Sequence, residues 1–187
     1  MKFIDVKKMD SGKYINRYNL TYETEDNKTK VYEMVSRNPD ITDFETLHGV
    51  EPADAVVIIM HDEKNEKILL NKEFRLAPGL WVYNFPAGLI DPGETPEVAA
   101  ERELWEETGL HIDSVEDTLS ASFSAVGFSN EKNVCIVGTA SGEFSKSTST
   151  TEEISAAWYT KEEIKQMLKT EFFAARTQAY CYLWSKN

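Results

Sequence analysis

The sequence lacks the features of a secreted or membrane protein. It has 187 residues and two cysteines, Cys135 and Cys181, too few for a disulfide scaffold and too far apart for a zinc site. We read both as reduced thiols and expect a cytoplasmic protein. No apolar run approaches the roughly 18 residues that span a membrane, and residues 1–10 are too polar for a signal peptide. We therefore expect no membrane partner.

Basic residues are also scarce. The chain has 20 Lys and Arg against 32 Asp and Glu, which gives a net charge of −12. Such a surface repels phosphate backbones, so we expect no nucleic-acid partner. A small polyphosphate is not excluded, because a divalent cation can lie between it and an acidic protein.

The order of the predicted elements indicates an α+β fold with a mixed sheet packed by helices, because strands and helices do not alternate regularly. A β-rich lobe and its linker are expected over residues 1–50, and the main domain over 51–187. The expected strands and helices follow the apolar pattern and the helix-capping residues. The strands are 14–20, 30–35, 55–60, 68–74, 80–85, 120–126, 134–140 and 154–159, and the helices are 95–109, 160–168 and 172–184.

One predicted helix carries a crowded group of carboxylates. Thr95 is a suitable N-cap and Gly109 a suitable C-cap, so Glu103, Glu106 and Glu107 fall on adjacent turns of one helix face. Such a group is often a solvated acidic surface. Clustered hard oxygen ligands also suit Mg²⁺ or Mn²⁺, which bridge to phosphates.

The spacing around this helix resembles the signature of the Nudix hydrolases. In that signature a glycine is followed after five residues by Glu, and after seven more by Arg-Glu-aliphatic-x-Glu-Glu-x-Gly-aliphatic. A chance match in a chain of this length is on the order of 10⁻⁷. The matching residues are Gly88, Glu94, Arg102, Glu103, Leu104, Glu106, Glu107, Gly109 and Leu110.

The resemblance implies an α/β/α sandwich and a metal-dependent hydrolase. By resemblance, Glu103 and Glu107 are the main Mg²⁺ ligands, and Glu106 is a further ligand or bridging group. The carbonyl of Ala87 completes the site, and Arg102 orients the glutamates. Glu94 supports the helix or shares in binding the metal.

Flanking residues resemble the ADP-ribose pyrophosphatase branch. Glu73-Phe74-Arg75 is similar to its Gln-(Phe/Tyr)-Arg strand end, and residues 84–88 to its Glu-x-Pro-Ala-Gly segment. By resemblance Arg75 contacts the substrate, although a surface arginine is the alternative. Glu73 replaces the usual Gln, and Asn84 the usual Glu.

The resemblance extends to an N-terminal lobe that makes a homodimer and supplies an aromatic side chain to the base. Tyr32 is the candidate for that side chain, followed by Glu33, and a core aromatic is the alternative. Glu131 lies in a segment similar to the branch's Pro-Gly-(Phe/Leu)-Ser-x-Glu loop, with Val126 in place of the proline. It either reaches the metal or the terminal ribose, or is an ordinary loop carboxylate.

The general base is expected in the Ser/Thr-rich loop before the last strand. Glu152 and Glu153 are the candidates, and Glu153 is slightly favoured because it adjoins the strand. A solvated acidic pair is the alternative.

The implied reaction is Mg²⁺-dependent hydrolysis of ADP-ribose or a related nucleoside diphosphate sugar to a nucleoside monophosphate and a sugar phosphate. One alternative keeps the chemistry but changes the substrate to NADH, GDP-mannose or an oxidised nucleotide. The other is a non-catalytic sensor of ADP-ribose.

Overall fold

The computed structural model describes residues 1–48, 53–149 and 152–186 and divides the chain into two compact units. The first unit comprises residues 1–54 and 121–134, and the second comprises residues 55–120 and 135–187. The predicted lobe boundary at residues 50 and 51 lies outside the described residues. Residues 121–134 join the N-terminal residues in the first unit, which the sequence pattern did not indicate.

The first unit contains a three-stranded antiparallel sheet with the order β1-β2-β3. Its strands are β1 (Lys2–Ser11), β2 (Asn16–Glu23) and β3 (Thr29–Ser36). A small apolar cluster forms its core, and the buried members are Tyr18, Leu20, Met34 and Ile41. Strand β1 was not predicted, because most of its side chains are exposed and its sequence does not alternate between apolar and polar residues.

Among the described residues, a seven-stranded mixed sheet and three helices complete the fold. The sheet order is β10-β5-β4-β9-β8, with β6 paired to β5 and β7 paired to β4. The elements are β4 (Ala55–His61), β5 (Lys67–Arg75), β6 (Leu80–Asn84), β7 (Ala87–Leu89), α1 (Pro96–Thr108), β8 (His111–Phe123), β9 (Lys132–Ser141), β10 (Ile154–Thr160), α2 (Lys161–Thr170) and α3 (Ala175–Lys186).

Helices cover both faces of this sheet, which confirms the predicted α/β/α sandwich. Val57 and Ile59 of β4 pack in one cluster with Ile164 of α2 and Cys181 of α3. Helix α1 also contacts β4 and β7. A strand covered on both faces has nearly continuous apolar residues, which explains the run at residues 55–60.

Helix α1 begins and ends at the predicted residues. The side chain of Thr95 accepts a hydrogen bond from the amide of Val98, and Pro96 occupies the first helical position. Gly109 has a φ of +81° at the C-cap, and its amide donates to the carbonyl of Trp105. These caps fix the register of the carboxylates along the helix.

Several predicted elements have different bounds. Strand β2 spans Asn16–Glu23 rather than residues 14–20, and β7 was not predicted. Strand β8 begins at His111 rather than residue 120, and residues 124–126 lie beyond its end. The prediction missed its first half because β8 is an edge strand with exposed residues and no apolar alternation. Helix α3 begins at Ala175 rather than residue 172. The carbonyl of Phe172 and the amide of Ala174 instead hydrogen-bond to the backbone of Tyr83 in β6.

In the described part of the chain, the helices are too short or too polar to cross a membrane.

Candidate active site

Helix α1 places two carboxylates in a largely dry environment. Glu107 is 8% exposed, and burial, followed by the charge of Glu103, raises its pKa well above the usual range. Burial also raises the pKa of Glu103, although its bond to Arg102 acts in the opposite direction. Ionised, these neighbouring groups repel each other, so a cation between them would be strongly stabilising.

Arg102 ties the start of the signature to the helix. Its Nε and Nη2 atoms donate to the two oxygens of Glu94 at 2.9 and 2.8 Å, and Nη1 donates to Glu103 at 2.7 Å. A further bond at 3.0 Å reaches the carbonyl of Leu89. The bonds from Arg102 lower the pKa of Glu94 to about 2. Arg102 therefore bonds to Glu94 and to Glu103 at once, which is the geometry that an orienting arginine needs.

The backbone at Gly88 passes directly against the carboxylate of Glu103. A Cβ atom at Gly88 would lie 2.0 Å from the Glu103 carboxyl carbon, so a side chain there would displace that carboxylate. The amide of Ala87 donates to Glu107 at 3.3 Å. The backbone of residues 87–88 thus lies directly against the carboxylates of Glu103 and Glu107 on helix α1.

Sequence reasoning missed one residue of this group. Asn71 on β5 is 1% exposed, and its Nδ2 atom donates to Glu107 at 2.8 Å. Its Oδ1 atom has no hydrogen-bond partner in the described residues, so it can accept a bond from water. The pattern contained a hint, because Asn71 directly follows the buried apolar run Ile68-Leu69-Leu70.

The Ser/Thr-rich loop before β10 lies on the last turn of α1. The amides of Ser145 and Thr148 donate to the carbonyls of Thr108 and Glu106, both at 2.9 Å. A cavity of about 410 Å³ is lined by Ser147–Ser149, the three helix glutamates (Glu103, Glu106 and Glu107) and Glu152. Thr151, which the sequence analysis included in this loop, lies outside the described residues.

The two candidate bases have different surroundings. Glu152 lines the cavity with the helix glutamates, and its charge raises the pKa of Glu103. Both candidates line the neighbouring cavities on the side of Arg75 and of Trp81, but Glu153 does not line the cavity of the helix glutamates. The carbonyl of Glu153 accepts from the amide of Phe74 at 3.0 Å. The arrangement thus favours Glu152 over Glu153.

The donor set suits a hard divalent cation. Glu103 and Glu107 provide two shielded carboxylates, Glu106 is 41% exposed in its side chain, and the orphaned Asn71 Oδ1 is available to a water ligand. Within the described ranges no three Asp, Glu, His or Cys groups already converge at ligating distance.

Three further predicted site residues, Tyr32, Glu33 and Glu131, belong to the first unit. Tyr32 is 37% exposed, and its hydroxyl donates to the carbonyl of Gly127. Glu33 is an exposed residue of β3. Glu131 forms an ion pair with the Nε atom of Arg37 at 2.6 Å, so Arg37 is a partner that the sequence did not indicate.

Comparison with known proteins identifies the family. The family model described as NUDIX domain matches residues 51–181. This chain belongs to the Nudix family. The match covers the whole signature and the strands on both sides of it, and it confirms the predicted fold and family.

Several relatives of this Nudix chain carry names. The ADP-sugar pyrophosphatase of Mus musculus is 36% identical over 104 residues, covering 54% of this chain and 44% of that protein. The ADP-ribose pyrophosphatase of Saccharomyces cerevisiae is 32% identical over 133 residues, covering 71% and 54%. The chain spans about half the length of such relatives.

A solved structure has the same fold. The crystal structure of an ADP compounds hydrolase aligns with a TM-score of 0.72 at 17% identity, covering 100% of this chain and 93% of that one. At this identity the likeness establishes the architecture alone.

Proposed function

We propose that this Nudix protein hydrolyses the diphosphate bond of ADP-ribose or a related nucleoside diphosphate sugar, giving a nucleoside monophosphate and a sugar phosphate. The observation that carries the proposal is the shielded pair Glu103 and Glu107, held beside Ala87 and Gly88 on the signature helix. The names of the mouse and yeast relatives support the substrate class.

The carboxylates of α1 would hold Mg²⁺ or Mn²⁺. Glu103 and Glu107 are the proposed main ligands, with Glu106 and the carbonyl of Ala87 as further donors. When bound, the cation would polarise the phosphoryl oxygens and lower the pKa of the attacking water. Both oxygens of Glu94 already accept bonds from Arg102, which supports a structural role for Glu94 rather than ligation.

Glu152 is the proposed general base. It lines the same cavity as the helix glutamates, so its carboxylate can accept a proton from water held there. Glu153 is the second candidate, because the loop that carries both residues could rearrange when substrate binds. Glu152→Gln should lower kcat more than Glu153→Gln if this assignment is right.

Four residues are proposed to bind the substrate. Arg75 is exposed beside the cavity that contains Glu152 and Glu153, where its guanidinium can contact a phosphate or ribose oxygen. Tyr32 would stack on the base through its exposed ring. Glu33 and Glu131 would accept hydrogen bonds from hydroxyl or amino groups of the substrate.

The proposal extends to assembly and compartment. A homodimer through the N-terminal lobe would bury exposed apolar side chains of the first unit, among them Ile4, Met9 and Val31. Light scattering of the purified protein would measure its mass. Cys135 and Cys181 are both free, which supports a reducing compartment such as the cytoplasm.

The decisive experiment is a substrate panel. The protein is incubated with Mg²⁺ and ADP-ribose, ADP-glucose, GDP-mannose, NADH or a nucleoside triphosphate, and the products are separated by chromatography, with a chelator in the control. We expect AMP and a sugar phosphate from ADP-ribose. Faster hydrolysis of another compound of the panel would show that this compound, rather than ADP-ribose, is the preferred substrate. Binding of ADP-ribose without turnover would instead indicate a sensor.

A further inference from the structure

A second buried carboxylate lies close to the α1 glutamates. Glu73 on β5 is 8% exposed, and its charge contributes to the raised pKa of Glu107. A buried carboxylate is costly unless its oxygens are hydrogen-bonded. The role of Glu73 is therefore indicated by the groups that it contacts.

One oxygen of Glu73 is held by a chain of side-chain hydrogen bonds. Its Oε1 atom accepts from Nδ2 of Asn84 at 3.1 Å. The Oδ1 atom of Asn84 accepts from the hydroxyl of Thr177 at 2.9 Å. Thr177 is fully buried in α3 and also accepts from the amide of Phe85 at 3.3 Å. The chain thus connects Glu73 to the C-terminal helix.

The other oxygen of Glu73 faces Arg75. Its Oε2 atom is 3.4 Å from the Nη1 atom of Arg75, whose side chain is 55% exposed. Both residues line a cavity of about 320 Å³ together with Glu152 and Glu153. The carboxylates of Glu73, Glu152 and Glu153 thus line the same cavity as Arg75. Glu73 is held in place by its hydrogen bond to Asn84, which is bonded in turn to the buried Thr177.

We propose that Glu73 is a positioning residue that holds Arg75 ready for an anionic substrate. A long exposed side chain loses conformational entropy when it binds a ligand, and an existing partner reduces that loss. The inference rests on the proposed substrate-binding role of Arg75.

At positions 73 and 84 this protein has a carboxylate and an amide, in the reverse order to the family pattern. The pattern described above has an amide at the position of Glu73 and a carboxylate at that of Asn84. In this protein the amide of Asn84 donates and the carboxylate of Glu73 accepts. Asn84 pairs with Asn71 in the β5–β6 register, about 13 Å along the strand from Arg75 at 3.3 Å per residue. The negative charge of the Glu73–Asn84 pair therefore lies on the residue beside Arg75.

The test is a double-mutant cycle on ADP-ribose hydrolysis. Glu73→Gln should raise KM roughly 10-fold and Arg75→Ala roughly 30-fold, with kcat within about 3-fold in each case. The double variant should have the KM of Arg75→Ala alone, because Glu73 acts through Arg75. If the two effects multiply, Glu73 acts independently and the inference is overturned.

The exchange variant Glu73→Gln/Asn84→Glu is the matched control. It keeps an amide–carboxylate bond but removes the charge beside Arg75, so KM should stay raised. Full recovery of the wild-type KM would show that the buried bond alone matters and would overturn the inference. If wild-type protein neither hydrolyses nor binds ADP-ribose, the proposed function fails, and the inference fails with it. If the wild type hydrolyses ADP-ribose but the KM effects of Glu73→Gln and Arg75→Ala multiply, the inference is overturned and the proposed function stands.

Discussion

Two surfaces of this molecule differ sharply in chemistry. The α1 centre in the second unit consists of the carboxylates of Glu103, Glu106 and Glu107, of which Glu103 accepts a hydrogen bond from Arg102 and Glu107 one from Asn71. The first unit instead contains an apolar groove of about 340 Å³. Rings form much of its wall, including Tyr22, Tyr32, Phe44, His48, Phe123 and Phe128.

The difference lies in what fixes each surface. In the α1 centre, hydrogen bonds fix one carboxylate oxygen of Glu103 and one of Glu107, and hydrolytic chemistry at phosphorus requires such positioning. In the groove, ring contacts dominate, such as Phe44 against Phe3 and His48 with centroids 5.1 and 4.8 Å apart. Such walls suit a flat apolar group and tolerate small shifts. Activity should therefore be sensitive to small displacements of atoms in the α1 centre, whereas binding in the groove should be sensitive to loss of apolar contact area.

The largest effect is expected at Glu107. Glu107→Gln should lower kcat by about 10³-fold or more, because it removes a buried negative charge proposed to ligate the cation. The amide has nearly the same shape, so circular dichroism should show the same fold. Activity within tenfold of wild type would contradict the proposed role of the α1 centre.

A displacement of one carboxylate should have the next largest effect. Gly88→Ala should reduce kcat roughly 100-fold with little change in Tm, because the added Cβ would push the flexible end of Glu103 aside. Gly138→Ala is the contrasting variant. Its Cβ would lie 2.0 Å from the backbone carbonyl oxygen of Ser114, so it should lower Tm while the folded fraction keeps its kcat. Equal losses of kcat in both would refute the contrast.

In the groove we expect a smaller effect, limited to affinity. Tyr32→Ala should raise KM for ADP-ribose roughly 10-fold, the usual value of one aromatic stacking contact. Tyr32→Phe keeps the ring and should stay within about 3-fold. Val31→Ala, an exposed neighbour on β3, is the control. A drop in kcat without a change in KM for Tyr32→Ala would argue against base stacking.

The smallest effect concerns stability and pH without added metal. Because the folded-state pKa of Glu107 is raised, its protonated form stabilises the fold, and this contribution is lost as the pH rises from about 4.5 towards neutral. Burial lowers the pKa of His61, which opposes this trend below pH 6.5. The difference in Tm between wild type and Glu107→Gln removes the His61 contribution.

That difference should change steadily over the interval, with Glu107→Gln gaining on the wild type as pH rises. Saturating Mg²⁺ should flatten it, since a cation favours the ionised carboxylate. A flat difference without metal would show that Glu107 is not perturbed by its burial.

The sequence predicted the parts of the molecule that depend on local rules. Caps at Thr95 and Gly109 fixed α1, and the signature spacing placed Glu103, Glu107 and Arg102 correctly on it. The residues that were missed depend on long-range contacts. Asn71 reaches Glu107 from β5, and Thr177 of α3 reaches Asn84 of β6, so both contacts join residues that are far apart in the chain. Strand β1 was missed because pairing with β2, rather than burial, holds it.

The composition of the first unit has a consequence for synthesis on the ribosome. Its N-terminal residues bond to a segment made much later, as in the amide of Val35 with the carbonyl of Phe128 and the amide of Lys132 with Asp54. Those partners are not available until more than two thirds of the chain has been made. The first part of the protein to leave the ribosome can pair its own three strands, but it is among the last to acquire its complete set of contacts.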